Sequence, residues 1–131
     1  MKLSNKIKKS FSLKENNLLK IDSTAKFFIE IFDLEDLKNI QNFISTKKIN
    51  FCILGEGSNV VLPNLLNKAV IKISFNKISI EDNLITVGGG KNWDDFVLWS
   101  LENGYCGLEN LSGIPGTVSY THLTLPTIRL V

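Results

Sequence analysis

Two glycines flanking a carboxylate, with two small polar residues after them, form the stretch best suited to chemistry: Gly55-Glu56-Gly57-Ser58-Asn59. Glycine enters positive φ without a Cβ penalty, so such a run can gather successive backbone N–H groups into one concavity. Concavities of this kind hold anions, phosphate above all. The expectation is a loop that cradles the pyrophosphate of a dinucleotide; an ordinary strand-to-strand turn would account for the same five residues. The loop is not a P-loop, because no lysine follows Gly57. It is not a Rossmann fingerprint either. A third glycine is missing, and Val60-Val61-Leu62-Pro63 is β-branched, apolar and closed by proline, so no helix starts there. Any anion would be held by turn amides rather than by a helix terminus.

The elements around this loop read as a mixed α/β (α+β) pattern. The apolar run Phe51-Cys52-Ile53-Leu54 has the length and composition of a buried strand. Upstream, residues 25–31 read as a strand with partial alternation. Asp33 then caps a helix whose Leu34, Leu37, Ile40, Phe43 and Ile44 follow helical spacing to about Thr46. Downstream, 69–74 reads as a strand and Ile78-Ser79-Ile80 with Leu84-Ile85-Thr86-Val87 as a hairpin turning at Glu81-Asp82-Asn83. Gly88-Gly89-Gly90 could bring backbone close to a ligand, but it reads first as a flexible strand-to-helix joint. Asn92 caps a second helix with Trp93, Phe96, Val97 and Leu101 as its core face and Gly104 just past its end. Residues 107–117 are too rich in turn formers for a helix and too apolar for a solvated linker. Pro115 and Gly116 suit them to close contact with a flat cofactor, or to a packed Ω-like loop.

Composition bounds the rest. The 131 residues amount to one domain, or one domain and part of another, with 44% hydrophobic and 21% charged residues as in ordinary globular proteins. A net charge of +2 argues neither for nor against a nucleic-acid partner, and none is expected. No apolar run is long enough for a bilayer, and Lys2, Lys6, Lys8 and Lys9 precede no signal-type apolar segment, so residues 1–16 read as a flexible basic leader. Cys52, a strand-core candidate, and Cys106 look like free thiols of a reducing cytoplasm. There is no metal-ligand spacing, no Ser/His/Asp set and no acid/base pair.

Three segments, ILGEGSNVVL (53–62), VGGGKNWDDFV (87–97) and GLENLSGIPGTV (107–118), occur in an order and at separations that carry a family resemblance. Residues 17–118 resemble the N-terminal FAD-binding domain of the UDP-N-acetylenolpyruvoylglucosamine reductase family, also called UDP-N-acetylmuramate dehydrogenases. The resemblance implies a PCMH/vanillyl-alcohol-oxidase-type flavoprotein domain, truncated here to its N-terminal portion. It implies FAD as cofactor and NADPH as reductant. It also implies UDP-N-acetylglucosamine enolpyruvate as substrate, reduced to UDP-N-acetylmuramate for cytoplasmic peptidoglycan synthesis. Carried over by position, Gly55, Gly57, Ser58 and Asn59 match the pyrophosphate loop, and Ile114, Pro115, Gly116 and Thr117 match the segment along the flavin. Glu56 is a poor ligand, since a carboxylate beside phosphate is repelled unless it faces away. Leu18-Leu19 stands where the family has threonine and an aromatic or leucine after its asparagine, which puts a polar role there in doubt.

After Val118 the family pattern breaks. Residues 119–131 hold the only His and the only Arg of the chain, and resemble the conceptual translation of a sequencing-library adapter. They are expected to be a non-native tail, so Ser119 and His122 are not candidates for catalysis. On that reading the family's catalytic residues lie outside this sequence, and the chain supplies part of the FAD site without turning over alone. A non-catalytic nucleotide- or phosphate-binding module is the competing class, and a segment that binds nothing is the third.

Overall fold

A computed structural model describes residues 6–82 and 84–121. A four-stranded sheet in the order β1-β2-β4-β3 is built from β1 (Ile7–Ser12), β2 (Thr24–Ile31), β3 (Phe51–Leu54) and β4 (Leu65–Ile73). β1 runs antiparallel to β2, whereas β4 lies parallel to both β2 and β3. The helix α1 (Leu34–Lys47) connects β2 to β3, as parallel strands require a crossover. A hairpin, β5 (Ile78–Glu81) with β6 (Leu84–Val87), leads into α2 (Trp93–Glu102); a short turn of helix, α3 (Val118–Thr121), follows the loop that carries Pro115.

Local chemistry explains the helix boundaries. The Asp33 carboxylate accepts the Asp36 N–H at 2.7 Å, and Glu35 and Asp36 sit in the first turn where negative charge favours the helix dipole. The Asn92 side chain caps α2 in the same way, accepting from the Asp95 N–H at 3.1 Å.

Strand alternation then sorts the apolar side chains. One face of the sheet packs Leu13, Ala25, Phe28, Leu54 and Val70; the other buries Ile29, Ile31 and Ile71 against Ile40 of α1. A third cluster joins Trp93, Phe96, Val97 and Val118 to the hairpin.

Four expectations need correction. Residues 7–12 are strand rather than flexible leader: Phe11 stacks on Phe28 with ring centroids 4.2 Å apart, and Leu13 is 0% exposed. Lysines suit this strand because it is a sheet edge, where charge discourages further pairing. β3 is also an edge strand. Phe51 and Ile53 are 51% and 60% exposed, because α1 lies over β2 and β4 and leaves a groove of about 380 Å³ beside them. Cys52 accordingly packs against the core only in part, and burial raises its thiol pKa. Leu101 projects from the core face of α2 and is exposed. The triple glycine is no loose joint. A Cβ on Gly88 would stand 2.4 Å from the Phe75 carbonyl oxygen, and one on Gly90 2.7 Å from that of Ile73. Absence of side chains lets this segment lie flat on the end of β4. Asn83 and residues 122–131, most of the expected tail, lie outside the described residues.

Candidate functional site

The glycine loop leaves the carboxyl end of β3, beside the carboxyl end of its parallel neighbour β4. Open α/β sheets bind their ligands at such ends. Here a cavity of about 300 Å³ is walled by Ile53, Leu54, Ile73 and Phe75 on the apolar side. Its other walls are Gly55, Glu56, Gly57, Ser58 and Asn59, together with Gly89, Gly116, Thr117 and Ser119.

Each small residue has a steric reason to be there. Gly57 has φ +68°, and a Cβ on it would lie 2.3 Å from the Asn16 carbonyl oxygen. The 3₁₀ turn Lys14–Asn16 therefore underlies the loop, and the Leu18 N–H donates to the Gly57 carbonyl at 3.0 Å. Asn17 is buried and braces that turn: its side-chain amide donates to the carbonyls of Leu13 and Ile21, and its carbonyl oxygen accepts the Ile21 N–H. A Cβ on Gly55 would lie 2.7 Å from the Thr117 hydroxyl oxygen, so the first glycine lets the two loops meet.

Residues 116–119 are laid along 89–93 by three backbone bonds. The Trp93 N–H donates to Gly116, the Val118 N–H to Lys91 and the Ser119 N–H to Gly89, all at 2.9 Å. Thr117 is 3% exposed, and its hydroxyl lies 3.0 Å from that of Ser119. Farther out, Asp94 accepts the Ser112 hydroxyl at 2.6 Å and the Gly113 N–H at 2.8 Å, and these bonds hold its carboxyl below the usual range. The Trp93 indole N–H donates to the Leu111 carbonyl at 2.8 Å.

Six of the eight residues singled out from sequence thus share one cavity: Gly55, Gly57, Ser58, Asn59, Gly116 and Thr117. Ile114 and Pro115 do not line it. Ile114 turns into the third apolar cluster, and Pro115 is exposed. Gly89, Ile73, Phe75 and Ser119 line it without having been singled out as ligands. The glycine run was a usable signal for Gly89; nothing in the sequence flags the strand-end side chains.

The cradle fits an anionic group. Among the described residues, none accepts a hydrogen bond from the amides of Glu56, Gly57 or Ser58, so these donors remain available to a ligand. The hydroxyl-bearing residues Ser58, Thr117 and Ser119 line the same space. Its volume is at the lower end of the roughly 300–1,000 Å³ of small-molecule sites. That suits part of a dinucleotide better than the whole.

Residues 25–119 match the family described as FAD binding domain. The chain belongs to that family. FAD is accordingly its cofactor, and the residues present suit the diphosphate. Similar proteins include UDP-N-acetylenolpyruvoylglucosamine reductase of Polynucleobacter asymbioticus, 40% identical over 118 residues, which cover 86% of this chain and 34% of that protein. The protein of the same name from Bdellovibrio bacteriovorus is 41% identical, over 86% of this chain and 35% of its own length. Among solved structures, UDP-N-acetylenolpyruvylglucosamine reductase (MurB) from Thermus caldophilus superposes with a TM-score of 0.65 at 25% identity. The match covers 82% of this chain and 38% of that one. The chain thus spans about a third of the length of the curated relatives it matches. Among the described residues no group of three His, Cys, Asp or Glu side chains could hold a metal, and no helix is long and apolar enough to cross a membrane.

Proposed function

We propose that this chain is the FAD-holding part of a cytoplasmic, NADPH-dependent reductase that converts UDP-N-acetylglucosamine enolpyruvate to UDP-N-acetylmuramate. The reading rests on one observation above all: the Gly55–Asn59 bend and the Gly116–Thr117 turn meet in a single cavity at the carboxyl ends of β3 and β4. When bound, the flavin supplies the hydride chemistry, and the protein supplies position and electrostatics.

In this reading the amides of Glu56, Gly57 and Ser58 carry the diphosphate charge, and the Thr117 hydroxyl orients the group beside it. Ile53, Ile73 and Phe75 exclude water from the neighbouring apolar wall. Ile114 and Pro115, which do not line this cavity, belong to the segment that runs along the flavin beyond it. Substrate contacts and the proton donor belong to the part of the relatives that this chain does not span, so the chain alone binds FAD weakly and does not turn over.

The test is a chimera in which residues 17–118 replace the matching third of the Polynucleobacter reductase. It is expected to carry FAD and to consume NADPH only when the enolpyruvyl sugar nucleotide is present. A chimera that carries FAD yet ignores this substrate would overturn the reading. Equal affinity of the isolated chain for ADP and FAD would instead assign it to nucleotide-binding modules without redox function.

A further inference from the structure

A carboxylate in the middle of a diphosphate loop is an electrostatic liability, and the fold deals with it through one side chain. The Asn92 amide nitrogen lies 3.2 and 3.5 Å from the two carboxylate oxygens of Glu56. Glu56 lines the cavity and Asn92 does not, so the contact ties the carboxylate to a group outside the cavity. The other end of the same amide is committed: its oxygen caps α2 by accepting the Asp95 N–H. The backbone of Asn92 is fixed as well, because it bridges Thr117 and its neighbours Lys91 and Trp93 bond to Val118 and Gly116. Cap, carboxylate tether and a backbone bridge to Thr117 therefore converge on a single residue, tying α2 to the loop after β3.

We infer that Asn92 is a positioning residue for the cofactor: its amide turns the Glu56 carboxylate away from the diphosphate and so leaves the Glu56, Gly57 and Ser58 amides free to bind the anion. The inference rests on the FAD reading above. Serine keeps helix capping but cannot reach the carboxylate with a second donor. Aspartate also caps, and replaces the donor with a like charge.

The experiment titrates FAD into the 131-residue chain, followed by quenching of flavin fluorescence, for the unaltered protein and for Asn92→Ser, Asn92→Asp, Glu56→Gln and the Asn92→Ser/Glu56→Gln pair. Asn92→Ser is expected to weaken FAD roughly tenfold, and Asn92→Asp more, because either leaves a negative charge free to face the phosphates. In the Glu56→Gln background the Asn92→Ser substitution should cost less than about twofold. An equal loss in both backgrounds would mean that Asn92 acts only as a helix cap, and would overturn the inference. A cofactor-free readout separates the two claims: the side-chain amide resonances of Asn92 should shift in Glu56→Ala relative to the unaltered chain. Indifference of those resonances removes the tether whatever the flavin result. A tether that is present in a chain with no measurable affinity for FAD or inorganic pyrophosphate overturns the FAD reading, and with it the role given to Asn92.

Discussion

Gly57 shows how one missing side chain can serve the backbone and the ligand together. Its φ of +68° costs any L-residue about 1–2 kcal/mol, and the Asn16 carbonyl occupies the place of a Cβ. Gly57→Ala should therefore destabilise the chain by about 2 kcal/mol or more, measured by urea unfolding, and should weaken FAD binding in the same titration. Gly55→Ala meets only the Thr117 hydroxyl, a side-chain atom that can rotate, so its effect on stability should be smaller while its effect on the cavity persists. The doublet of glycines was plain in the sequence. Its opposing surfaces were not, because Asn16 and Thr117 are brought there by folding and lie about forty and sixty positions away in the chain. Burial of Cys52 makes the same point: a residue read as core is only half covered, since a strand's composition does not reveal that it lies at an edge.

At the scale of elements, the ion pair between Lys6 and Asp36 fastens the start of β1 to the first turn of α1. The Lys6 ammonium, helped by the Phe32 N–H and opposed by burial, holds the Asp36 carboxyl below its ordinary value of 3.8. A carboxyl depressed on folding adds stability above its unfolded pKa. That stability is lost as pH falls from about 4 through the lower folded value. Lys6→Ala should therefore cost about 1–2 kcal/mol at neutral pH and leave a shallower acid transition, both read from denaturation curves between pH 2 and pH 7. Asp94, held down by Ser112 and Gly113, follows the same sign at the loop that carries Pro115. Ser112→Ala should loosen that loop, seen as faster amide exchange at Gly113, with most of the effect gone at low pH. Both helices and their caps were legible, because Asp33 and Asn92 precede clear 3.6-residue patterns. β1 was not. Its two apolar residues, Ile7 and Phe11, are four apart, a spacing that fits one face of a strand and one face of a helix alike, and Lys9 stands where an alternating strand would place a third apolar residue.

For the whole molecule, the partition of apolar surface matters most. Phe51, Ile53, Val61, Leu65 and Leu84 remain exposed, and the cavity is open at a volume suited to part of a dinucleotide. The purified chain is expected to show little or no visible flavin absorbance after gel filtration; a stoichiometrically yellow protein would show that these walls suffice on their own. The order of three motifs was enough to imply the fold family, because each motif marks a point where backbone must come close to something. The route of the chain between them, with β4 inserted between β2 and β3, depends on long-range pairing that local patterns do not encode. The turn of residues 14–16 is the floor beneath Gly57, and Leu13 is fully enclosed. Translation initiated a few codons beyond Asn17 would deliver every glycine of the cradle intact, yet leave the bend without its underside.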